Sequence, residues 1–370
     1  MVTMRPPARK HATLKDVASL AGVSTATIAR VLHNNGYVAG ETRLIVEAAL
    51  AQSGYRVNAV AQGLRRRRTF LLGHVLQSIA PNLFFATVAL AVQQEAAKHG
   101  CSVILFNTQS DTAAERRAVE TLLRHRVDAI LFTTVTNEAN VRLAVAAGVP
   151  VVQVERVGTV ATLGVSVDNR PGACEAVEHL IALGHRRIAF VGLDPATPMD
   201  GQGDPAAVGL RERRSVERER LDGYLGTLAA HGIPVRNDLI ALTDVYSSPE
   251  RGRAVTRRLL GLPPAERPTA IFAGCDLLAV GVLQEILAQG LHVPDDLSVV
   301  GFDDTYAPNL APPLTSVAQP MVEIGQVAAR LAIGVLESND GGDHGRQQRL
   351  STRLIVRAST GPPGESARRP

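Results

Sequence analysis

Apolar residues near the start of the chain recur with a helical period. Leu14, Val17, Ala18 and Ala21 fall at i, i+3, i+4 and i+7, behind a Thr13 and Asp16 pair with the form of a capping box. Gly22 stops this helix, and Ser24 is placed to cap a second one whose inner side is Ile28, Val31 and Leu32. Val23 and Ile28 occupy the positions of a hydrophobic staple, which sets the angle of entry into the second helix. A third helix is predicted over 41–53, burying Val46, Ala49 and Leu50 and ending at Gly54. The first two, joined by a tight glycine-containing turn, predict a helix-turn-helix. From Phe70 the pattern changes. FLLGHVL, CSVILFN, AILFTT and VPVVQVE, then RRIAFVG, TAIFAG and LSVVGFD, are short apolar runs with helical stretches between them. That alternation predicts parallel sheets, and two sheets joined by crossovers predict a bilobed α/β body with a ligand cleft at the carboxyl ends of its strands.

Charge then separates the two parts. The first 70 residues hold 11 Lys and Arg against three Asp and Glu, a net +8, whereas the whole chain carries only +4. The positive excess therefore belongs to the helical module, which suggests a polyanion partner, the alternative being a solubilising basic tail. No apolar run reaches the ~18 residues of a membrane span, and the N-terminus lacks a signal peptide's apolar core, so the cytoplasm is the expected location. Cys101, Cys174 and Cys275 are far apart with no histidines at metal spacing. They predict buried thiols rather than a disulfide framework or a metal site, and no cofactor is expected.

On the second helix, Thr25, Ala26 and Arg30 fall on the face turned away from the apolar side. In a helix-turn-helix that face enters the major groove, where Arg30 has the geometry to read guanine, and Thr25 and Ala26 suit a thymine methyl or a base acceptor. Ser24, Thr27, Tyr55 and Asn58 suit phosphate oxygens. For Arg30 the alternative is an ordinary solvated arginine.

The segments TLKDVASLAGVSTATIARVL and ETRLIVEAALAQSGYRVNAVAQGL strongly resemble the headpiece of the lactose-repressor (LacI/GalR) family. Farther on, VDNRPGACEAVEHLIALGHRRIAFVG, TAIFAGCDLLAVG, LHVPDDLSVVGFDD and APPLTSVAQP resemble that family's periplasmic-binding-protein-like core, so the likeness covers nearly all of 12–358. The resemblance implies a headpiece over 12–57, a hinge over 58–69, an effector-binding and dimerisation domain over 70–358, and a disordered tail over 359–370. It implies a homodimer on a palindromic operator, with Ala61 and Leu64 of each hinge in the minor groove and Leu64 as a wedge that bends the duplex. The four arginines at 65–68 would anchor the backbone, and Gly63 would keep the hinge unfolded until DNA arrives. Ala29, His33 and Val57 depart from the usual serine, asparagine and proline, which alters phosphate contacts and hinge entry in detail.

By the same resemblance, Phe84 and Phe85 after Asn82 wall an effector pocket, Glu155 faces the cleft, and Asp303 and Arg220 oppose each other across it. A carboxylate and a guanidinium so placed suit a hydroxyl-rich ligand, a sugar or nucleoside. The alternatives are a turn carboxylate for Asp303 and an interlobe salt bridge for Arg220. Cys275 stands where serine or asparagine is usual and reads better as packing, with Asp276 as an N-cap. The stretch 193–219 is an insertion read as a loop near the cleft mouth; its GQGDPAAVG is no nucleotide-binding loop, since it lacks the strand, helix and lysine of one. No HExxH, GxSxG or P-loop is present, which argues against an enzyme. The sequence therefore predicts a ligand-controlled, sequence-specific DNA-binding transcriptional regulator, most simply a repressor. A free-standing sugar binder or small-molecule enzyme that merely carries a basic N-terminus, and a nonspecific nucleoid-type DNA binder, are the competing classes.

Overall fold

Residues 12–32, 35–55, 68–156, 158, 160–194, 216–243, 248–337 and 345–364 are described by the computed structural model. The chain divides into two compact units, Met1–Thr69 and Phe70–Pro370.

The first unit is three helices, α1 (Leu14–Ala21), α2 (Thr25–Leu32) and α3 (Gly40–Ser53). Its turn is specified by local chemistry. The Thr13 hydroxyl accepts from the Asp16 amide at 3.3 Å while the Asp16 carboxylate accepts from the Thr13 amide at 2.7 Å, closing the capping box. Gly22 takes a left-handed φ of 63°, the conformation a residue with a Cβ resists, and its amide returns to the Ala18 carbonyl. Ser24 Oγ accepts from the Thr27 amide at 3.1 Å and caps α2. Val17, Ala18, Ala21, Ile28, Val31, Val46 and Ala49 form the core, with Val23, Leu32 and Leu50 packed against it. Full burial contributes about 1.5 to 3 kcal/mol for each of the larger side chains.

The second unit is a two-lobed α/β body. Its elements are β1 (Leu71–Leu76), α4 (Leu83–Lys98), β2 (Ser102–Asn107), α5 (Thr112–Arg124), β3 (Ala129–Thr133), α6 (Glu138–Ala146), β4 (Val151–Val154), β5 (Leu163–Val167), α7 (Asn169–Ala182), β6 (Ile188–Leu193) and α8 (Val216–Ala230). There follow β7 (Ile240–Thr243), α9 (Pro249–Leu260), β8 (Ala270–Ala273), α10 (Asp276–Ala288), β9 (Ser298–Asp303), β10 (Thr315–Ala318), α11 (Met321–Glu337), β11 (Gln347–Leu350) and β12 (Arg353–Ile355). One six-stranded sheet has the order β11-β5-β4-β3-β1-β2, the other β12-β10-β9-β8-β6-β7. The chain therefore changes lobe after β5, β10 and β11. Helices cover both faces of each sheet with apolar clusters, which is why the strands read as continuous apolar runs.

All seven expected strands form. Two expectations are corrected. The sheets are not wholly parallel, because β12 runs antiparallel to β10 at an edge. The tail does not start at 359: Ser359 is fully buried, its hydroxyl accepts from the Thr315 amide at 2.8 Å and donates to the Val299 carbonyl, and the Gly361 carbonyl lies 2.9 Å from His185 Nε2. The chain is described through Gly364. The insertion is outside the described residues over 195–215.

Candidate functional site

On the helical unit, Thr25, Ala26 and Arg30 are all exposed on α2, opposite the buried Ile28 and Val31. Ser24 and Thr27 are joined, their hydroxyls 2.9 Å apart, so the cap that starts α2 also orients two of the hydroxyls expected to face phosphate. Tyr55 is half-buried against the headpiece core. Asn58, Ala61 and Leu64 lie outside the described residues, as do Gly63, His33, Val57 and the arginines at 65–67. Sequence reasoning passed over Tyr37, which is 91% exposed between α2 and α3 and presents a phenol hydroxyl to solvent. Its only signal was the turn-rich setting NNGYVAG.

In the α/β unit, a cavity of about 410 Å³ lies at the carboxyl ends of the strands and is walled by both lobes. Six expected residues, drawn from five separate segments, line it: Phe84, Phe85, Glu155, Arg220, Cys275 and Asp303. The Asn82 side chain accepts from the Phe84 amide at 3.0 Å, starting α4 so that both rings fall in its first turn. Those rings meet edge to face at 5.4 Å. Glu155 and Asp303 follow the same logic in the two lobes, each ending a strand with a positive φ, 68° and 108°.

The geometry of Arg220 and Asp303 differs from the sequence reading. Both belong to the same lobe, on α8 and β9, and touch at 3.5 Å instead of opposing one another across the cleft. Arg220 is in the second turn of α8. Its Nε donates to Asn169 at 3.0 Å, its Nη1 donates to the Gly274 carbonyl at 2.6 Å, and its plane lies 3.8 Å from the Phe302 ring centroid. Nor does Asp276 cap its helix; Cys275 is the N-cap residue, and the Asp276 carboxylate instead accepts from the Thr305 amide at 2.7 Å and the Ser316 hydroxyl at 2.7 Å. It thereby fixes the loop that follows Asp303 at the end of β9.

The ion pair that does cross the lobes was not foreseen. Arg156, just past β4, holds Glu217 of α8 with both terminal nitrogens, one at 2.9 Å. A second such pair joins Arg349 of β11 to Glu219 at 2.6 Å. Burial pushes the Asp303 carboxyl up to about 7, partly offset by Arg220 and reinforced by Asp276. Burial likewise pushes Asp276 up to about 6. For Glu217 burial acts in the same direction, yet the Arg156 guanidinium outweighs it and holds the carboxyl below its usual range.

A helix-turn-helix unit followed by a two-lobed, periplasmic-binding-protein-like domain with an interlobe cavity of mixed aromatic and charged lining is the architecture of a ligand-responsive DNA-binding regulator. The family model for bacterial regulatory proteins of the lacI family matches residues 13–58, and the one for periplasmic binding protein-like domains matches 177–360. The catabolite control protein A of Priestia megaterium is 35% identical over 326 residues, 87% of this chain and 91% of that protein. The solved lac repressor dimer bound to operator and an anti-inducer superposes with a TM-score of 0.75 at 29% identity, covering 95% of this chain and all of that one. The complex of the regulator CelR with cellobiose gives 0.67 at 30%, covering 94% and 99%. The chain belongs to the LacI family of transcriptional regulators.

Proposed function

We propose that this chain is a dimeric, sequence-specific transcriptional repressor whose operator affinity is set by a hydroxyl-rich small molecule in the interlobe cavity. Thr25, Ala26 and Arg30 read base edges in the major groove. Ser24, Thr27, Tyr55 and Asn58 position the backbone, and Ala61 and Leu64 enter the minor groove. Support comes from the isolation of the base-reading trio on the exposed side of a helix whose start is fixed by Ser24. The operator-bound lac repressor is a relative that works as a dimer on DNA.

The observation that carries the effector half is the convergence of six residues, widely spaced in the chain, on one cavity. At about 410 Å³ it lies within the ~300–1,000 Å³ typical of small-molecule sites, and it pairs an aromatic wall with carboxylates and guanidinium groups. CelR holds cellobiose, a sugar. Ligand binding biases how the lobes close, and by linkage the ligand alters DNA affinity by the factor that DNA alters ligand affinity. The test is operator binding by gel shift with a panel of neutral sugars and nucleosides, on the wild type and Asp303→Asn. At least one compound shifts the affinity and loses its effect in the variant. A panel that leaves DNA binding unchanged removes the effector reading.

A further inference from the structure

Five charged side chains line the cavity among the described residues, Arg156 and Arg220 against Glu155, Glu217 and Asp303. What matters to a ligand is which of those charges remain available. Arg220 donates to Asn169 and to the Gly274 carbonyl and is paired with Asp303. The Asn169 amide is in turn held by Glu219 at 3.2 Å, so this arrangement has little freedom to turn toward a newcomer. Arg156 gives both terminal nitrogens to Glu217, and its Nε lies 3.9 Å from Glu155 Oε2. That Nε is sealed from solvent and has no hydrogen-bond partner among the described residues. The cavity thus presents a cation already neutralised by one carboxylate and flanked by a second.

A neutral hydroxyl suits such a wall, since it donates to a carboxylate and needs no free cation. A phosphate ester does not suit it. Its ionised oxygens only accept, and beside Arg156 they lie against Glu155 and Glu217, while both arginines among the described lining residues are already paired with carboxylates.

Taking the cavity as the effector site, we propose that Glu217 is a specificity-determining residue that acts as a charge filter. By holding Arg156 in a two-pronged pair across the lobes, it denies that cation to phosphate-bearing ligands and restricts the site to uncharged, hydroxyl-rich molecules. Replacing Glu217 frees a half-buried guanidinium of the kind that binds phosphate well.

The test uses the full chain and two anionic probes, inorganic phosphate and glucose 6-phosphate, titrated by calorimetry. Wild type, Glu217→Ala, Glu217→Gln and Glu217→Ala with Arg156→Ala are compared, each checked for folding by circular dichroism. The basic headpiece also attracts anions, so the informative quantity is the binding that loss of Arg156 abolishes. Both single variants gain phosphate affinity by at least about tenfold, the worth of one charge-assisted hydrogen bond, and the double variant loses the gain. The proposal is overturned if the wild type already binds either probe through Arg156 as tightly as the variants do, or if neither folded single variant gains affinity. The effector reading fails separately, when no neutral sugar or nucleoside shifts operator affinity, and that result leaves the phosphate gain unaltered.

Discussion

Asp303→Asn isolates the protonation of the cavity. The Asp303 carboxyl is 3% exposed and is raised from an ordinary value of 3.8 to about 7 in the folded chain. Because the folded state holds this proton more tightly than the unfolded state, the wild type loses stability as pH rises from about 4 to about 7, and the loss is complete above that. A shift of about three units corresponds to about 4 kcal/mol, at about 1.4 kcal/mol per unit. Asparagine keeps the shape and cannot ionise, so its stability lacks this slope. The Asp276 carboxyl titrates in both proteins, and the Arg220 guanidinium retains Asn169 and the Gly274 carbonyl in the variant. Urea unfolding of the α/β unit in the full chain between pH 5 and 8 gives the difference directly. The variant gains on the wild type with rising pH, by about 2.5 to 3 kcal/mol across the window, the rest of the change falling below pH 5. Parallel stability curves refute the argument that burial sets this proton. The same ionisation governs the ligand: a hydroxyl that donates to Asp303 is held more strongly by the carboxylate than by the neutral carboxyl, so effector affinity rises with pH through about 7 and binding releases protons near neutrality.

The other predictions concern DNA reading and packing. Arg30→Ala costs about 1 to 3 kcal/mol at one base pair of each half-site, measured by binding to single-base operator variants; an equal loss on every sequence argues against base reading. Leu64→Ala weakens operator binding and removes the duplex bend in circular-permutation gel shifts, and an unchanged bend discards the wedge. Gly281→Ala pushes α9 and α10 apart, since a Cβ there would lie 1.9 Å from the Pro249 carbonyl oxygen and 2.9 Å from the Arg253 amide. It lowers stability by at least about 1 to 3 kcal/mol in urea, and a neutral result contradicts the close backbone packing.

Much of this structure is legible because its signals are local. The capping box at Thr13, the left-handed Gly22 and the Ser24 cap are set by residues within a few positions of one another, and the headpiece follows from them. The core strands of both sheets are buried on two faces and announce themselves as apolar runs. The strands that escaped notice are short or polar. β10 holds Thr315 and Ser316 fully buried, satisfied by Ser359 and Asp276 from elsewhere in the fold, and β11 is QQRL at an exposed edge. The burial of Ser359 likewise depends on partners about 44 and 60 residues away, which composition cannot show. In the cavity, residue types followed from the resemblance, whereas pairing did not. Arg156 and Glu217 are 61 positions apart, and only the two sheets bring them together. The same distance effect turned Asp276 from an expected cap into the clamp on the Asp303 loop, through a hydroxyl 40 residues away.

The central claim, that two copies of the basic three-helix module read a single symmetric site, is tested most directly by selecting bound duplexes from random DNA with the full-length protein. An enriched palindrome, bound at least about 10³-fold more tightly than scrambled duplex at physiological salt, is the predicted result. Recovery of sequences no more alike than the starting pool, with neutral sugars and nucleosides either present or absent, contradicts it.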